Sequence, residues 1–194
     1  MIHGLDAFDP GLEHCVLTVG NFDGVHVAHQ KLLTQAKLLA RRTKGPVAVL
    51  TFEPHPLTVV APEKAPRRLS LPEEKLRCLE LAGADLVVVA RSEPALLGLE
   101  ADRFVEDVLI ELFHPTHMVV GPSFGFGKGR KGTPQLLARL GPKFGCEVQI
   151  TEPMLLQLDQ EAEPRMVSSS LIRNLLLNGR VREAASCLNR SYAV

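Results

Sequence analysis

Two histidines with helical spacing follow a short apolar segment near the start of the chain. His26 and His29 lie three residues apart, so they share one face of the helix that the next residues predict. A helix N-terminus offers free N–H groups, and two imidazoles there would complete a site for a polyphosphate and for charge developing at its α-phosphorus. On its own, the pair favours an ordinary helix start with surface histidines. A zinc site has still less support, because no third and fourth ligand is evident.

The residues before the histidines suit close approach of a ligand. Gly20 and Gly24 permit a tight turn and leave the backbone accessible. Asp23, between them, can accept hydrogen bonds from backbone amides or lie near a metal ion. Residues 20–29 are therefore the first candidate site.

Three later segments are also candidates, and each has a structural explanation beside a functional one. Residues 51–56 (T-F-E-P-H-P) hold His55 between two prolines that keep the backbone extended, although a lone histidine in such a loop is usually a packing or surface residue. Residues 119–132 contain five glycines, two phenylalanines and three cations, which fits stacking and anion binding as well as a flexible solvated loop. Residues 167–173 place serines before a helix, where serine is a good N-cap.

The elements that must position these segments follow from hydrophobic periodicity. The predicted strands are Cys15–Val19, Val47–Phe52, Leu86–Ala90, His117–Val120 and Glu147–Ile150. The predicted helices are Gln30–Arg42, Pro72–Ala82, Ala101–Phe113, Thr133–Leu140, Ser169–Asn178 and Val181–Leu188. Their alternation predicts an α/β fold, a Rossmann-like parallel sheet of about five strands with helices on both faces. Ligands of such folds bind beyond the carboxyl ends of the strands, where the loops after strands one, two and four lie.

Composition narrows the function classes. Among 194 residues, 22 basic residues balance 22 acidic ones, so net charge gives no support to a nucleic-acid or membrane-surface role. Four cysteines without C-x-x-C spacing indicate a reduced, cytoplasmic protein. No signal peptide and no apolar run long enough to cross a bilayer is evident.

The four candidate segments resemble the motifs of one family, in the same order. The first is similar to the H-x-G-H phosphate-binding signature of nucleotidyltransferases, and G-N-F-D-G-V-H resembles the FMN adenylyltransferase (FAD synthetase) module of bacterial bifunctional riboflavin kinase/FAD synthetases. The others resemble its T-F-E-P-H-P, V-G-x-D/N-F-x-F-G-x-x-R-x-G and I/V-S-S-T/S-x-I-R motifs. Ala28 stands where the family has glycine, and Ser123 where it has Asp or Asn. Ser170 and Leu171 are milder departures.

The resemblance implies the reaction ATP + FMN → FAD + pyrophosphate, with Mg²⁺ bridging phosphate oxygens and no assigned protein ligand. The implied catalytic residues are His26, His29 and Arg173, the last neutralising the pyrophosphate. The implied ATP-binding residues are Gly20, Asn21, Phe22, Asp23, Gly24, Ala28, Ser168 and Ser169. The implied FMN-binding residues are His55, Pro56, Ser123, Phe124, Phe126, Gly127 and Arg130, with Phe124 or Phe126 flanking the flavin ring or shaping its pocket.

The resemblance also implies a domain boundary. Residues 1–188 would form the nucleotidyltransferase domain, and residues 189–194 a short tail where a riboflavin kinase domain would begin; the kinase domain itself is expected to be absent. Two alternatives stay open. A sister nucleotidyltransferase would use another phosphorylated acceptor, and a non-catalytic flavin- or nucleotide-binding protein would account for Ala28 and Ser123.

Overall fold

The central sheet is parallel throughout, in a computed structural model that describes residues 2–5, 14–159 and 161–192. Within those residues it has six strands in the order β1-β4-β3-β2-β5-β6. They are β1 (Ile2–His3), β2 (Val16–Val19), β3 (Val47–Glu53), β4 (Leu86–Arg91), β5 (His117–Val120) and β6 (Glu147–Ile150). The predicted fold class is confirmed, and all five predicted strands are present; β1 is an addition at the edge of the sheet.

Strand order reverses beside β2. The chain runs outward from β2 through β3 to β4, and then returns to the opposite side of β2 with β5 and β6. Val16 therefore pairs with Val47 on one side and with His117 on the other. In open parallel sheets such a reversal leaves a crevice at the carboxyl ends of the strands. The loops after Val19 and Val120 flank this crevice.

Helices cover both faces of the sheet. They are α1 (Val27–Thr43), α2 (Leu57–Val60), α3 (Pro72–Leu81), α4 (Pro94–Leu97), α5 (Ala101–Arg103), α6 (Glu111–Phe113), α7 (Pro134–Leu140), α8 (Ser169–Leu177) and α9 (Val181–Leu188). A run with i→i+5 hydrogen bonds, Phe104–Ile110, joins α5 to α6, so the predicted helix over 101–113 is one continuous helical segment. A small antiparallel pair, β7 (Leu155–Leu156) and β8 (Arg165–Met166), precedes α8. No helix in the described ranges is long and apolar enough to span a membrane.

Alternating residues of the strands enter two separate cores. Leu17 and Val19 of β2 pack on the face covered by the segment from α5 to α6 and by α7. Val16 packs on the other face, with Leu33 of α1 and Leu79 of α3. Strands buried on both faces read as continuous apolar runs, which is why the sequence predicted them well.

A third group of buried apolar residues, the C-terminal cluster, packs α8 and α9 beside the start of α1. Its members are Leu69, Leu158, Val167, Leu171, Ile172, Leu175, Ala184, Cys187 and Leu188. Val27 and Ala28 of α1 pack against it. The cluster thereby holds the last two helices next to the predicted histidine site.

Helix α1 begins three residues before its predicted start at Gln30. The residue preceding the helix is His26, whose backbone is extended, and helical geometry starts at Val27. The first buried apolar residue of α1 is Leu32, so periodicity could not locate the true start. The shift places His29 within the first turn.

Candidate active site

His26 and His29 stack on each other at the start of α1. Their ring centroids lie 3.6 Å apart and the ring planes are tilted by 16°. The Nδ1 atoms of both rings are buried, and no described residue offers either atom a hydrogen bond. Because buried polar atoms in proteins are nearly always paired, these rings are among the few described side chains whose buried hydrogen-bonding capacity is unused.

The turn that carries the histidines is built from left-handed backbone. Phe22, Gly24 and Val25 have φ angles of 49°, 82° and 38°. The Phe22 ring is 2% exposed and meets the His29 ring edge-on, with the centroids 5.0 Å apart. A Cβ atom at Gly20 would lie only 3.3 Å from the Phe22 ring, so glycine leaves room for that ring. Packing of the Phe22 ring beside His29 and Gly20 therefore stabilises the conformation of this turn.

Burial keeps both histidines uncharged. It lowers the pKa of His26 from 6.5 to about 4, although the nearby carboxylate of Asp23 acts in the opposite direction. The pKa of His29 lies well below 6.5, first because of burial and then because of its neighbour His26. At neutral pH each imidazole carries a single N–H donor and no charge. Such a pair can donate hydrogen bonds to anionic oxygen atoms.

Asp23 binds backbone amides, which is one of the two alternatives that the sequence left open. Its carboxylate accepts from Leu69 N–H at 3.0 and 3.1 Å and from Ser70 N–H at 3.3 Å. Arg173 donates to the same carboxylate, and Ser169 Oγ donates to the Asp23 carbonyl over 2.8 Å. Asp23 therefore joins the first loop to the segment before α3 and to α8.

The start of α8 faces the histidine turn. Ser168 caps the helix, since its hydroxyl accepts from Leu171 N–H over 3.2 Å. Arg173 also donates through Nε to the carbonyl of Arg67 over 2.6 Å, and its side chain is 16% exposed. The structure thus brings the predicted α8 residues to the first loop. Contact of Ser168, Ser169 and Arg173 with ATP phosphates stays a prediction.

His55 links the second candidate loop to the first. Its Nδ1 accepts from Leu57 N–H over 3.2 Å, so the proton of the neutral ring is on Nε2. Nε2 lies 3.0 Å from the side-chain amide of Asn21, and a hydrogen bond there requires the amide oxygen of Asn21 to face the ring. Burial lowers the pKa of His55, and the positive charge of Arg173 lowers it further.

An ion cluster follows β3, and the sequence had left Glu53, at its centre, without a role. Arg68 pairs with the Glu53 carboxylate, and Lys75 donates to Glu53 Oε2 and to the Phe52 carbonyl, each over 3.2 Å. The Lys75 side chain is only 8% exposed. Pro56, a predicted flavin contact, starts α2 just beyond this cluster.

A cleft between the first loop and the ion cluster collects the polar groups. Asn21, Asp23, His55, Arg68 and Lys75 are among the residues that line it. Sequence reasoning missed Arg68 and Lys75. For Lys75 a signal existed, because it lies four residues before a buried leucine on the apolar face of α3. No local pattern marked Arg68, which lies in an irregular segment.

The loop after β5 contains one buried ring and one half-exposed ring. Phe126 is 5% exposed, and its ring centroid lies 5.2 Å from that of Phe124 and 5.8 Å from that of Phe104. Its backbone exchanges two hydrogen bonds with Gly132, at 2.9 and 3.1 Å. In this position Phe126 supports Phe124. Contact of either ring with a flavin stays a prediction.

The other predicted flavin-binding residues of this loop are also of two kinds, one packed against α5 and two exposed. A Cβ atom at Gly127 would lie 2.7 Å from the Cα atom of Ala101, so glycine lets the loop pack closely on α5. Contact of Gly127 with a flavin stays a prediction. Ser123 and Arg130 are exposed, and Arg130 Nη2 lies 3.4 Å from the Ser123 carbonyl. Burial is the main cause of the lowered pKa of His55, and the positive charge of Arg130 adds to it. The charge of Arg130 therefore acts on a residue that lines the cleft.

Ala28 differs in its surroundings from the two histidines. Its side chain is half-buried and packs against the C-terminal cluster. Within the helix it precedes His29 by one residue, so the two side chains are about 100° apart around the helix axis. The methyl group that replaces the family's glycine therefore has apolar neighbours of its own.

No group of three or more His, Cys, Asp or Glu side chains in the described part of the chain could hold a metal ion. Asp23, the nearest carboxylate to the histidines, already binds two amides and a guanidinium. A wider surface depression lies at the turn between α8 and α9, but Arg180 there is paired with Glu161 and Glu183. The residues present thus fit a metal that arrives with a ligand better than a resident one.

Residues 9–170 match the family model described as FAD synthetase. A bifunctional riboflavin kinase/FMN adenylyltransferase of Escherichia coli strain K12 is 37% identical over 182 residues, which cover 94% of this chain and 56% of the relative. The Bacillus subtilis protein of the same name is 33% identical over 183 residues, covering 92% and 54%. The chain therefore spans about half the length of these curated relatives.

A solved structure described as a macrolide-efflux protein from Streptococcus pneumoniae superimposes with a TM-score of 0.82. The two sequences are 25% identical, and the superposition covers 98% of this chain and 62% of the other. The two chains therefore share the arrangement of nearly all elements of this fold.

Proposed function

The chain belongs to the FAD synthetase family, and we propose that it transfers AMP from ATP to the phosphate of FMN, giving FAD and pyrophosphate. The observation that carries this proposal is the stacked pair of uncharged imidazoles, His26 and His29, at a helix N-terminus. Anionic phosphate oxygens are the ligands that free helix N–H groups and imidazole donors prefer. The polar cleft beside them supplies a second binding region for the acceptor.

The ATP phosphates would lie along the first loop and the start of α1. Neutral His26 and His29 would donate hydrogen bonds to the α-phosphate, where negative charge increases during transfer. Arg173 can neutralise the leaving pyrophosphate only if its guanidinium turns from Asp23 toward the phosphates. That movement would leave the Asp23 carboxylate with its backbone amides alone, so the charge-assisted hydrogen bonds to pyrophosphate must offset the cost of unpairing it.

The FMN phosphate would bind at the cleft between the first loop and the ion cluster, and the flavin ring would extend toward the loop after β5. His55 lines the cleft, and Arg68 and Lys75 add positive charge suited to an FMN phosphate. The positive charge of Arg130 acts on His55 from the side of the loop after β5. The half-exposed ring of Phe124 is available for stacking on a flavin.

The reaction needs positioning more than a protein nucleophile. An oxygen of the FMN phosphate would form a bond to the α-phosphorus of ATP, in line with the leaving group. The bond from the α-phosphorus to the oxygen that bridges it to the β-phosphorus would break, and its electron pair would leave with pyrophosphate. Because that acceptor oxygen is already ionised, no general base is required.

We propose that Mg²⁺ enters as part of the ATP substrate, held by phosphate oxygens. The described residues supply no carboxylate cluster for it. We further propose a cytoplasmic location, in line with four cysteines present as free thiols, and no nucleic-acid partner.

Incubation with ATP, Mg²⁺ and FMN, followed by chromatographic separation of the flavins, tests the proposal. FAD should accumulate in proportion to the FMN consumed and to the pyrophosphate released. FMN binding without FAD formation would instead favour a flavin-binding protein. Turnover with a different phosphorylated acceptor, and none with FMN, would favour a sister nucleotidyltransferase.

A further inference from the structure

Arg190 reaches back from beyond the last helix to the turn that carries the histidines. Its Nη1 donates to the Gly24 carbonyl over 2.9 Å and lies 3.4 Å from the Leu188 carbonyl. Its Nε and Nη2 lie 3.2 and 3.1 Å from Glu74 Oε1 on α3. A residue that sequence reasoning placed outside the domain therefore connects three of its parts.

Gln30 makes a second connection between the same regions. Its Nε2 donates to the Val25 carbonyl over 2.9 Å and to the Leu188 carbonyl over 3.1 Å. Its Oε1 accepts from Asn189 Nδ2 over 3.4 Å. The carbonyls of two successive turn residues are thus bound by side chains that meet at the end of α9.

These contacts fall where the backbone most needs support. Gly24 and Val25 both have positive φ, and a β-branched residue such as Val25 rarely adopts that conformation without surrounding constraint. Both backbone polar groups of Gly24 are bound. Its N–H donates to Ser70 Oγ over 3.2 Å, and its carbonyl accepts from Arg190. Any loosening here would be transmitted directly to His26, the next residue.

Arg190 is not available as a free phosphate ligand. Glu74 neutralises its charge, and the side chains of the pair are 25% and 33% exposed. It contacts the histidine turn by donating to the Gly24 carbonyl, so that N–H group is already used and does not bind an anion. Its effect on a bound nucleotide must therefore be indirect.

We propose that Arg190 is a positioning residue for the ATP site, which holds the Gly24–Val25 turn in the conformation that aims His26 and His29 at the phosphates. The proposal rests on the proposed function, since it assumes that ATP binds at this turn. It predicts a selective loss of ATP affinity when the contact to the Gly24 carbonyl is removed, with the acceptor site unaffected.

The test compares Arg190→Ala with three variants of the full chain by calorimetric titration of ATP with Mg²⁺ and by steady-state FAD formation. Arg190→Ala should raise the dissociation constant of ATP about tenfold, which corresponds to about 1.4 kcal/mol, and leave the KM for FMN within twofold. Arg190→Lys should recover part of the loss, because an ammonium can still donate to one of the two partners. Glu74→Gln, which retains the Gly24 contact, should raise the constant less than threefold. Arg182→Ala, at an exposed arginine of α9, is the matched charge control and should match the unaltered protein.

A merely structural role for Arg190 would lower the melting temperature and the active fraction without changing the ATP dissociation constant of the folded protein. An ATP constant within twofold of the unaltered value, or equal changes for ATP and FMN, would overturn the proposal. If the unaltered chain binds ATP but forms no FAD, the proposed function fails and the titration still decides the role of Arg190. If the unaltered chain does not bind ATP, both fail together.

Discussion

The histidine turn, residues 20–29, and the loop after β5, residues 121–132, flank the same crevice but are built differently. In the first, Phe22, Val25 and His26 are each less than 5% exposed. Side chains that are distant in sequence bind its backbone, namely those of Thr51, Ser70, Ser169 and Arg190. In the second, half of the residues are exposed, and Lys128 has a side chain that is 62% exposed and pairs only loosely with Glu100 at 3.6 Å.

The difference matches what each substrate requires in the proposed reaction. Charge that develops at phosphorus is stabilised best by donors that are already fixed, because fixed dipoles need no reorganisation. A large aromatic acceptor can be bound by a loop that adjusts around it, with one supported ring for stacking. We therefore expect changes in the histidine turn to affect catalysis, and changes in the exposed loop to affect acceptor affinity.

The largest expected effect is that of His29→Ala on kcat. Removing a fixed donor at the site of charge development should lower kcat for FAD formation by about 100- to 1,000-fold. Steady-state kinetics measures this, and thermal unfolding checks that the fold persists. His117→Ala, at the opposite end of the sheet, is the matched control and should keep normal turnover. A His29→Ala enzyme with near-normal kcat would remove the assigned role.

The pH dependence of stability should come largely from the buried turn. In the unfolded chain His26 takes up a proton near pH 6.5, whereas in the folded chain its pKa is about 4. The resulting stabilisation is complete above pH 6.5 and is lost as the pH falls toward 4. At about 1.4 kcal/mol for each pKa unit this amounts to about 3 kcal/mol, and burial of His29 acts in the same direction.

Urea denaturation between pH 7.5 and 4.5 measures this effect. His26→Asn should flatten the curve of unfolding free energy against pH, whereas His117→Ala should leave its slope unchanged. Identical slopes in His26→Asn and the unaltered protein would show that the imidazole is not buried as described.

Within the exposed loop, the two stacked rings should respond in opposite ways. Phe124→Ala should raise the KM for FMN about fivefold and leave the KM for ATP unchanged, because stacking contributes about 1 kcal/mol. Phe126→Ala should instead lower the unfolding free energy by about 3 kcal/mol, since its ring is in the core. The comparison of loops would be wrong if Phe124→Ala changed kcat and Phe126→Ala changed only FMN affinity.

The smallest expected effect is that of Ala28→Gly. Since the Ala28 methyl group packs on the C-terminal cluster, restoring the family's glycine should change the KM for ATP by less than twofold. The unfolding free energy should fall by about 0.5–1 kcal/mol, as for glycine within a helix. A marked gain in ATP affinity would mean that the methyl group crowds the nucleotide.

Local patterns predicted the sheet and the pieces of the site, but not the contacts that assemble them. Continuous apolar runs identified five strands, and helical spacing identified His26 and His29. The two-residue strand β1 is too short to produce a pattern. The amides that bind Asp23 lie 46 residues away, and the guanidinium that binds the Gly24 carbonyl lies 166 residues away. Such pairings depend on how the helices pack, and no periodicity within one segment records them.

The same limit applies to two residues of the exposed loop. Phe126 and Gly127 belong to a motif rich in glycine and phenylalanine, which is compatible with both ligand contact and internal packing. Only the position of α5, and with it of Phe104 and Ala101, shows that both residues also serve internal packing.

Transfer of label from ATP to the flavin tests the central claim most directly. With ATP labelled at its α-phosphorus and unlabelled FMN, the account predicts FAD that carries one labelled phosphorus for each FMN consumed, together with unlabelled pyrophosphate. The same chain carrying His29→Ala should form this product at least 100 times more slowly. Unlabelled FAD, or release of labelled AMP without flavin modification, would contradict the account.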